Sequence, residues 1–335
     1  MKRVLQLSLG VAISVAAVWF SMRDVSLPAV IEALRRANLW IFLAVMGLTL
    51  FSFWIRALRW RSLLSGSRHW SLDGLYSAVM IGFMANNLLP FRLGEFVRAW
   101  ALGRREQCST TMVLATVVVE RAVDMLALLA ILGMTLLVHP MRAGSRAAEL
   151  TQAGATSLIA LTVVLTLALV LLERSPRLAH RLVHRLALGL PERHRGKAEA
   201  ALDHFVEGLG LFRDLPRLLW VFLLSFVMFG CFAWALQLSM QALGIHLPWY
   251  AGWTLLVITA FAIMAPAAPG YIGTMNLACV AGLALFQDVP RDLANSFSWF
   301  YWVGQWLPVT VVGFYCLRRE GLSLRSLNQA QEGGR

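Results

Sequence analysis

Apolar residues along this chain gather in long runs rather than alternating or recurring on one helical face. Most runs approach the ~20 residues that cross a hydrocarbon core. Unbroken runs over residues 4–22, 39–55, 110–138, 151–172, 218–243 and about 293–317 predict six full spans. The first follows Met1-Lys2-Arg3 as a signal peptide would, but it is longer than a signal core and has no small-x-small cleavage site, so it reads as a retained helix. A short amphipathic stretch around Ile31 and Leu34 leads into the second. Two further stretches, 72–103 and 249–286, are interrupted, at Asn86-Asn87-Leu88-Leu89-Pro90 and at Pro266-Ala267-Ala268-Pro269-Gly270. Proline has no backbone donor and the residue before it avoids helical geometry, so each cluster predicts a helix-break-helix hairpin. The expected fold is an all-α polytopic membrane protein of about six full spans plus two broken or re-entrant hairpins.

Composition supports this class. Of 335 residues, 59% are hydrophobic and 14% charged, with a mean hydropathy of +0.66, where soluble domains carry about 25% charge. The longest polar stretch, about 173–217, is too short for a separate catalytic domain. We therefore expect one transmembrane domain over 1–320 containing that stretch as a central loop, with a short tail at 321–335. The net charge of +12 does not point to nucleic acid, because the basic residues lie between spans. With the amino terminus inside, 23 of the 30 Lys and Arg fall on the cytoplasmic side, six outside, and Arg121 within a span. Both termini are thus expected in the cytoplasm, and the two hairpins enter from opposite faces.

Several chemistries lack support. Cys108, Cys231, Cys279 and Cys316 stand far apart, and the seven histidines complete no metal motif, so neither disulfide, metal nor cofactor is expected. Walker, GxSxG and HExxH patterns are missing, which removes the usual routes to ATP-driven pumping and hydrolysis. Tryptophans such as Trp40, Trp220 and Trp249 fall near span ends and read as interfacial anchors.

Three stretches carry candidate chemistry. After Pro90, Arg92, Glu95 and Arg98 recur every three residues and would share one helical face beside Asn86 and Asn87. Arginine offers a planar fork suited to phosphate, and Glu95 is placed to hold either arginine. The second is Glu120-Arg121-Ala122-Val123-Asp124. Met125 to Val138 supplies only 14 apolar residues, about 21 Å of helix, against a core of roughly 30 Å, so the three charges lie within the membrane. Their net charge of minus one requires a partner cation, for which Arg98 is the candidate. The third surrounds Pro269: Gly270, Tyr271, Gly273 and Asn276 follow the prolines, and a helix restarting near Gly273 would aim free N–H groups into the break.

These stretches, Asn87-Leu88-Leu89-Pro90-Phe91-Arg92-Leu93-Gly94-Glu95 with Arg98, Glu120-Arg121 with Asp124, and Pro269-Gly270-Tyr271-Ile272-Gly273, resemble in order three motifs of the lysylphosphatidylglycerol synthase transmembrane family, also called flippase-like domain proteins. The resemblance covers nearly the whole chain and implies a multi-pass bacterial inner-membrane protein with re-entrant helices. In the best-known members it implies movement of lysylated phosphatidylglycerol between leaflets. Tyr271 and Asn276 depart from the family's usual Gly and Glu, which weakens a cationic headgroup or proton site at Asn276. The soluble aminoacyl-transferase domain of the two-part enzymes is not in this chain, so a transporter-like protein rather than an enzyme is expected. The resulting expectation is a lipid translocator that needs no ATP. Arg92 and Arg98 would meet phosphate, Glu95 and Asp124 would hold those arginines, and the Gly270–Gly273 backbone would complete a cavity between the hairpins. Membrane lipids are the expected partners, with a lipid-modifying enzyme as a further one. Two other readings stand beside it: a membrane partner of an envelope-lipid synthase, and an embedded transferase with Glu120 or Asp124 as base.

Overall fold

Leu39–Leu63, Leu72–Leu88, Thr110–Val138, Leu215–Ala242 and Arg291–Arg319 form long helices because their sequences are apolar and hold no Pro-Gly cluster. In this computed structural model the described residues are 26–64, 69–89, 93–138, 214–263, 269–286 and 289–323, with isolated positions between 19 and 167. Every element among them is helical. In chain order they are α1 Leu27–Arg36, α2 Leu39–Leu63, α3 Leu72–Leu88, α4 Gly94–Arg105, α5 Thr110–Val138, α6 Leu215–Ala242, α7 Ala251–Ala262, a 3-10 turn at Pro269–Tyr271, α8 Thr274–Leu283 and α9 Arg291–Arg319. The span expected at 4–22, nearly all of that at 151–172, the central loop up to residue 213, the end of the tail, and Pro90, Arg92 and Pro266 lie outside the described residues.

By length and composition α2 and α6 are long and apolar enough to cross a membrane. Hydroxyls inside such helices bond back to a carbonyl one turn earlier: Thr49 to Val45, Ser225 to Val221 and Ser239 to Ala235, at 2.7–2.8 Å. No water is available at membrane depth, and this back-bonding satisfies each hydroxyl within its own helix.

Two expectations need correction. The second span does not end at Ile55; the helix continues to Leu63 and draws Arg56, Arg59 and Arg61 out of the expected flank into its last turns. The first break does not begin at Asn86. Helix α3 runs through Asn86 and Asn87 to Leu88, and the Leu89 N–H still bonds Ala85 O at 2.7 Å. The polar pair ends the helix without breaking it, because both side chains find partners beyond the helix. The chain leaves helical geometry just ahead of Pro90, as the restriction on the residue before a proline demands.

The chain divides into two compact units. The first comprises Met1–Trp54, Met80–Gly94 and Met228–Gly321. Within it α9 packs against α1 and α8, and α7 against α8. Small residues allow close approach there: a Cβ on Gly313 of α9 would lie 2.4 Å from Met84 Cβ and 2.8 Å from Met80 O of α3. The second comprises Ile55–Val79, Glu95–Val227 and Leu322–Arg335. Its core includes Trp60, Leu75 and Leu102, and Arg217 Nε caps the end of α2 through Ser62 O at 2.7 Å.

Candidate functional site

In the second unit, α2, α4 and α5 bring six ionised side chains together, five of them buried. Arg56 Nη1 donates to Glu120 Oε1 at 2.8 Å and to Asp124 Oδ2 at 3.3 Å. Arg59 reaches Glu120 Oε1 at 3.0 Å, Asp124 Oδ1 at 2.6 Å and the Ser225 hydroxyl at 2.7 Å. Arg98 Nη2 donates to the other oxygen of Glu120, Oε2. Arg121 pairs with Asp124 Oδ2 at 3.1 Å and Glu120 Oε1 at 3.5 Å. Glu120 and Asp124 stand four residues apart on α5, as Arg56 and Arg59 stand three apart on α2, so each pair presents one face.

Packing locks this arrangement. The Arg98 guanidinium lies 3.6 Å above the Trp60 ring, a cation–π contact at desolvated range. Trp60 is itself fixed by its Nε1–H bond to Thr116 Oγ1 at 3.0 Å. Arg59 and Glu120 have no exposed surface, whereas the Arg121 side chain is 42% exposed. Glu120 therefore accepts from all four arginines and is the hub of the cluster.

Arg98, the expected partner for the charged triad, pairs with Glu120. The carboxylate that holds Arg98 is Glu120 rather than Glu95, which is half-buried at the start of α4. Arg56 and Arg59 are the residues that sequence reasoning missed. Their signal was the three-residue spacing beside Trp60, hidden because arginines after an apolar run read as a cytoplasmic flank.

The first unit gathers the other candidates around a different chemistry. Gly270, Tyr271 and Gly273 take positive φ of 70, 58 and 83°, and α8 restarts at Thr274. The exposed backbone is met by side chains. Trp302 Nε1 donates to Gly270 O at 2.8 Å, and Asn276 Oδ1 accepts from Gly273 N–H at 3.1 Å while its amide donates to Ser298 Oγ at 3.1 Å. At the end of α3, Asn86 Oδ1 accepts from Gly94 N–H at 2.8 Å, and Asn87 Nδ2 donates to Thr310 Oγ1 at 3.0 Å.

The two interruptions approach one another within this unit. A Cβ on Gly270 would lie 3.4 Å from Asn87 O and 2.9 Å from Trp306 Nε1. Trp302 and Trp306 stack with centroids 5.6 Å apart. Helix α9 thus carries a ladder of Ser298, Trp302, Trp306 and Thr310 at helical spacing that sequence reasoning did not single out. The i, i+4 row was its signal. These tryptophans sit well inside a 29-residue helix rather than near its ends, so interfacial anchoring does not account for them.

The family model described as "Lysylphosphatidylglycerol synthase TM region" matches residues 7–313. No curated protein matches the chain.

Proposed function

The chain belongs to the Lysylphosphatidylglycerol synthase TM region family, and from that premise we propose that it moves a polar lipid headgroup, anionic or aminoacylated, across the bacterial inner membrane without ATP hydrolysis. Membership gives the coarser statement, a helical membrane protein with a lipid-related role. The finer one rests above all on the buried ionic cluster. A charge at mid-membrane costs about 2.5–3.5 kcal/mol on insertion scales, and such groups usually line substrate paths. A headgroup that meets the charges while its tails stay in lipid avoids crossing bare hydrocarbon.

In this reading Arg98, with Arg92, meets the phosphate. Glu120 and Asp124 hold the arginines between passages, with Glu95 at the mouth of α4. The Glu120 lone pairs are already taken by guanidiniums, which speaks against a transferase base. We place a single transmembrane domain over 1–320 in the inner membrane, with both termini cytoplasmic, hairpins entering from opposite faces, and membrane lipids or a lipid-modifying enzyme as partners.

The test is leaflet-resolved movement of fluorescent anionic, zwitterionic and lysylated lipids in proteoliposomes. Wild type is compared with Arg92→Ala, Arg98→Ala and empty vesicles. Protein-dependent movement that the variants lose supports translocation. Folded wild-type protein that moves no lipid sinks it and favours a partner role beside a lipid synthase.

A further inference from the structure

The hydrogen bonds around the break in the first unit leave two groups over. Trp302 Nε1–H is taken up by Gly270 O, and the Asn276 side chain by Gly273 N–H and Ser298. Asn87 directs its amide N–H groups to Thr310 Oγ1 at 3.0 Å and Trp306 O at 3.4 Å. Its Oδ1, however, accepts from none of the described residues, and Trp306 Nε1–H donates to none. Both side chains are half-buried and close on Gly270, where a Cβ would lie 2.9 Å from Trp306 Nε1 and 3.4 Å from Asn87 O. Groups that served only the fold would be paired, as those of Trp302 and Asn276 are.

The indoles do not look toward lipid. Val311 and Tyr315 mark the exposed side of α9, at 58% and 65%. They follow Trp302 and Trp306 by nine residues each, about two and a half turns, which puts the indoles on the opposite side. Thr310 and Gly313, one and two turns beyond Trp306, show what that side faces: Thr310 bonds Asn87, and Gly313 packs on Met80 and Met84 of α3. The surface that Trp302 and Trp306 keep therefore opens within the first unit, beside the break. Its wall is aromatic, with the two rings stacked at 5.6 Å and Trp299 edge-on to Trp302 at 5.8 Å.

This wall offers a ligand an apolar face, one donor and one acceptor. A lipid phosphodiester would accept from the indole N–H but has no proton to give Asn87 Oδ1, and an ammonium donates but cannot accept. A hydroxyl does both. A sugar ring carries several hydroxyls and adds a face of C–H groups that lies flat on an indole. We propose that Trp302, Trp306 and Asn87 form a seat for a neutral hydroxylated ring, the glycosyl group of a glycolipid or a free saccharide, with Trp306 Nε1–H donating to a hydroxyl and Asn87 Oδ1 accepting from one. The seat goes beyond the translocator reading: it lies in the other unit, recognises no charge, and can be measured with no movement at all.

The experiment uses the full chain in a polyoxyethylene detergent, which carries no sugar of its own. Methyl glucoside is titrated and followed by tryptophan fluorescence and thermal melting, with tetramethylammonium chloride as the cationic comparison. In parallel, native mass spectrometry compares retention of monoglucosyl diacylglycerol with that of diacylglycerol. A saturable response to methyl glucoside identifies a free-sugar site. Silence to methyl glucoside with selective retention of the glucosyl lipid identifies the lipid-borne sugar. In either arm Trp306→Phe, which keeps a ring and removes the N–H, should weaken binding about threefold to tenfold, the scale of one neutral hydrogen bond. Trp306→Leu removes the aromatic face as well and should weaken it further. Should Trp306→Leu fail to fold, Trp306→Phe alone carries the test. The proposal is overturned if wild type distinguishes neither sugar from its control, if it responds to tetramethylammonium instead, or if folded Trp306→Phe binds as wild type does. Sugar binding by a protein that moves no lipid would sink the translocator and leave the seat standing; lipid movement without sugar binding would do the reverse.

Discussion

The two units solve the same problem, polar groups among apolar helices, in opposite ways. In the first, the polar pairings that meet the interruptions are neutral: Gly94 N–H to Asn86, Gly273 N–H to Asn276 and Trp302 to Gly270 O. These groups answer a need of the backbone, because helices that stop inside a packed interior must find partners for their free N–H and C=O groups. In the second, the polar groups are full charges on unbroken stretches of α2, α4 and α5, where the backbone bonds itself. No orphaned backbone group calls for them, and apolar residues of similar volume would often be as stable. The neutral pairings are thus explained by the fold. The charged ones ask for a use.

Removing the hub of the charged unit should have the largest effect. Glu120→Ala takes from Arg98 the carboxylate that holds it and leaves Arg56 and Arg59 sharing Asp124, and breaking a buried pair from one side costs about 3–5 kcal/mol. The expected outcome is little or no protein in the membrane fraction and aggregation on size-exclusion chromatography. If Glu120→Ala accumulates and melts like wild type, the cluster does not hold this unit together. Next comes an overpacking change in the neutral unit. Gly313→Val would drive a side chain into Met84 and Met80 O and should cost about 1–3 kcal/mol. The variant should be present but melt several degrees lower. A Gly313→Val loss as large as that of Glu120→Ala would erase the distinction between the two interiors.

A smaller effect tests the backbone argument directly. Trp302→Phe keeps an aromatic ring in the stack with Trp306 but deletes the 2.8 Å bond to Gly270 O. An unsatisfied buried carbonyl costs about 1–3 kcal/mol. Amide exchange should quicken at Gly270–Asn276 and not on α5. Exchange that quickens equally on α5 would mean that the ladder on α9 is not local support for the break.

What was legible in the sequence follows the same division. Charge inside an apolar run is so costly that Glu120, Arg121 and Asp124 announced a cluster, and the missing cation led to Arg98. The helix restart at Thr274 was legible because prolines followed by glycines admit few alternatives. Arg56 and Arg59 were not legible, since an arginine after an apolar run serves equally as a flank at the headgroups or as a counter-ion in the interior. Only the depth of carboxylates on another helix decides between these. Asn86 and Asn87 misled for a related reason. Amides before a proline look like the break itself, yet here they belong to the last turn and reach outward to Gly94 N–H and Thr310. Trp302 and Trp306 were hidden by the usual role of tryptophan at span ends.

The smallest expected effect is a control on the whole comparison. Arg36 and Glu32 on α1 form an ion pair at 2.8 Å, as short as Arg56 to Glu120, but their side chains are 79% and 52% exposed. Equal length does not mean equal consequence. Water solvates both exposed partners when the pair opens, so an i, i+4 pair of this kind contributes only about 0.3–0.5 kcal/mol, and salt screens it further. Arg36→Ala should therefore leave abundance and melting temperature within about one degree of wild type, and lipid movement unchanged. A loss approaching that of Glu120→Ala would show that ion-pair geometry, rather than burial, governs these charges, and the inference of function from the buried cluster would lose its physical ground.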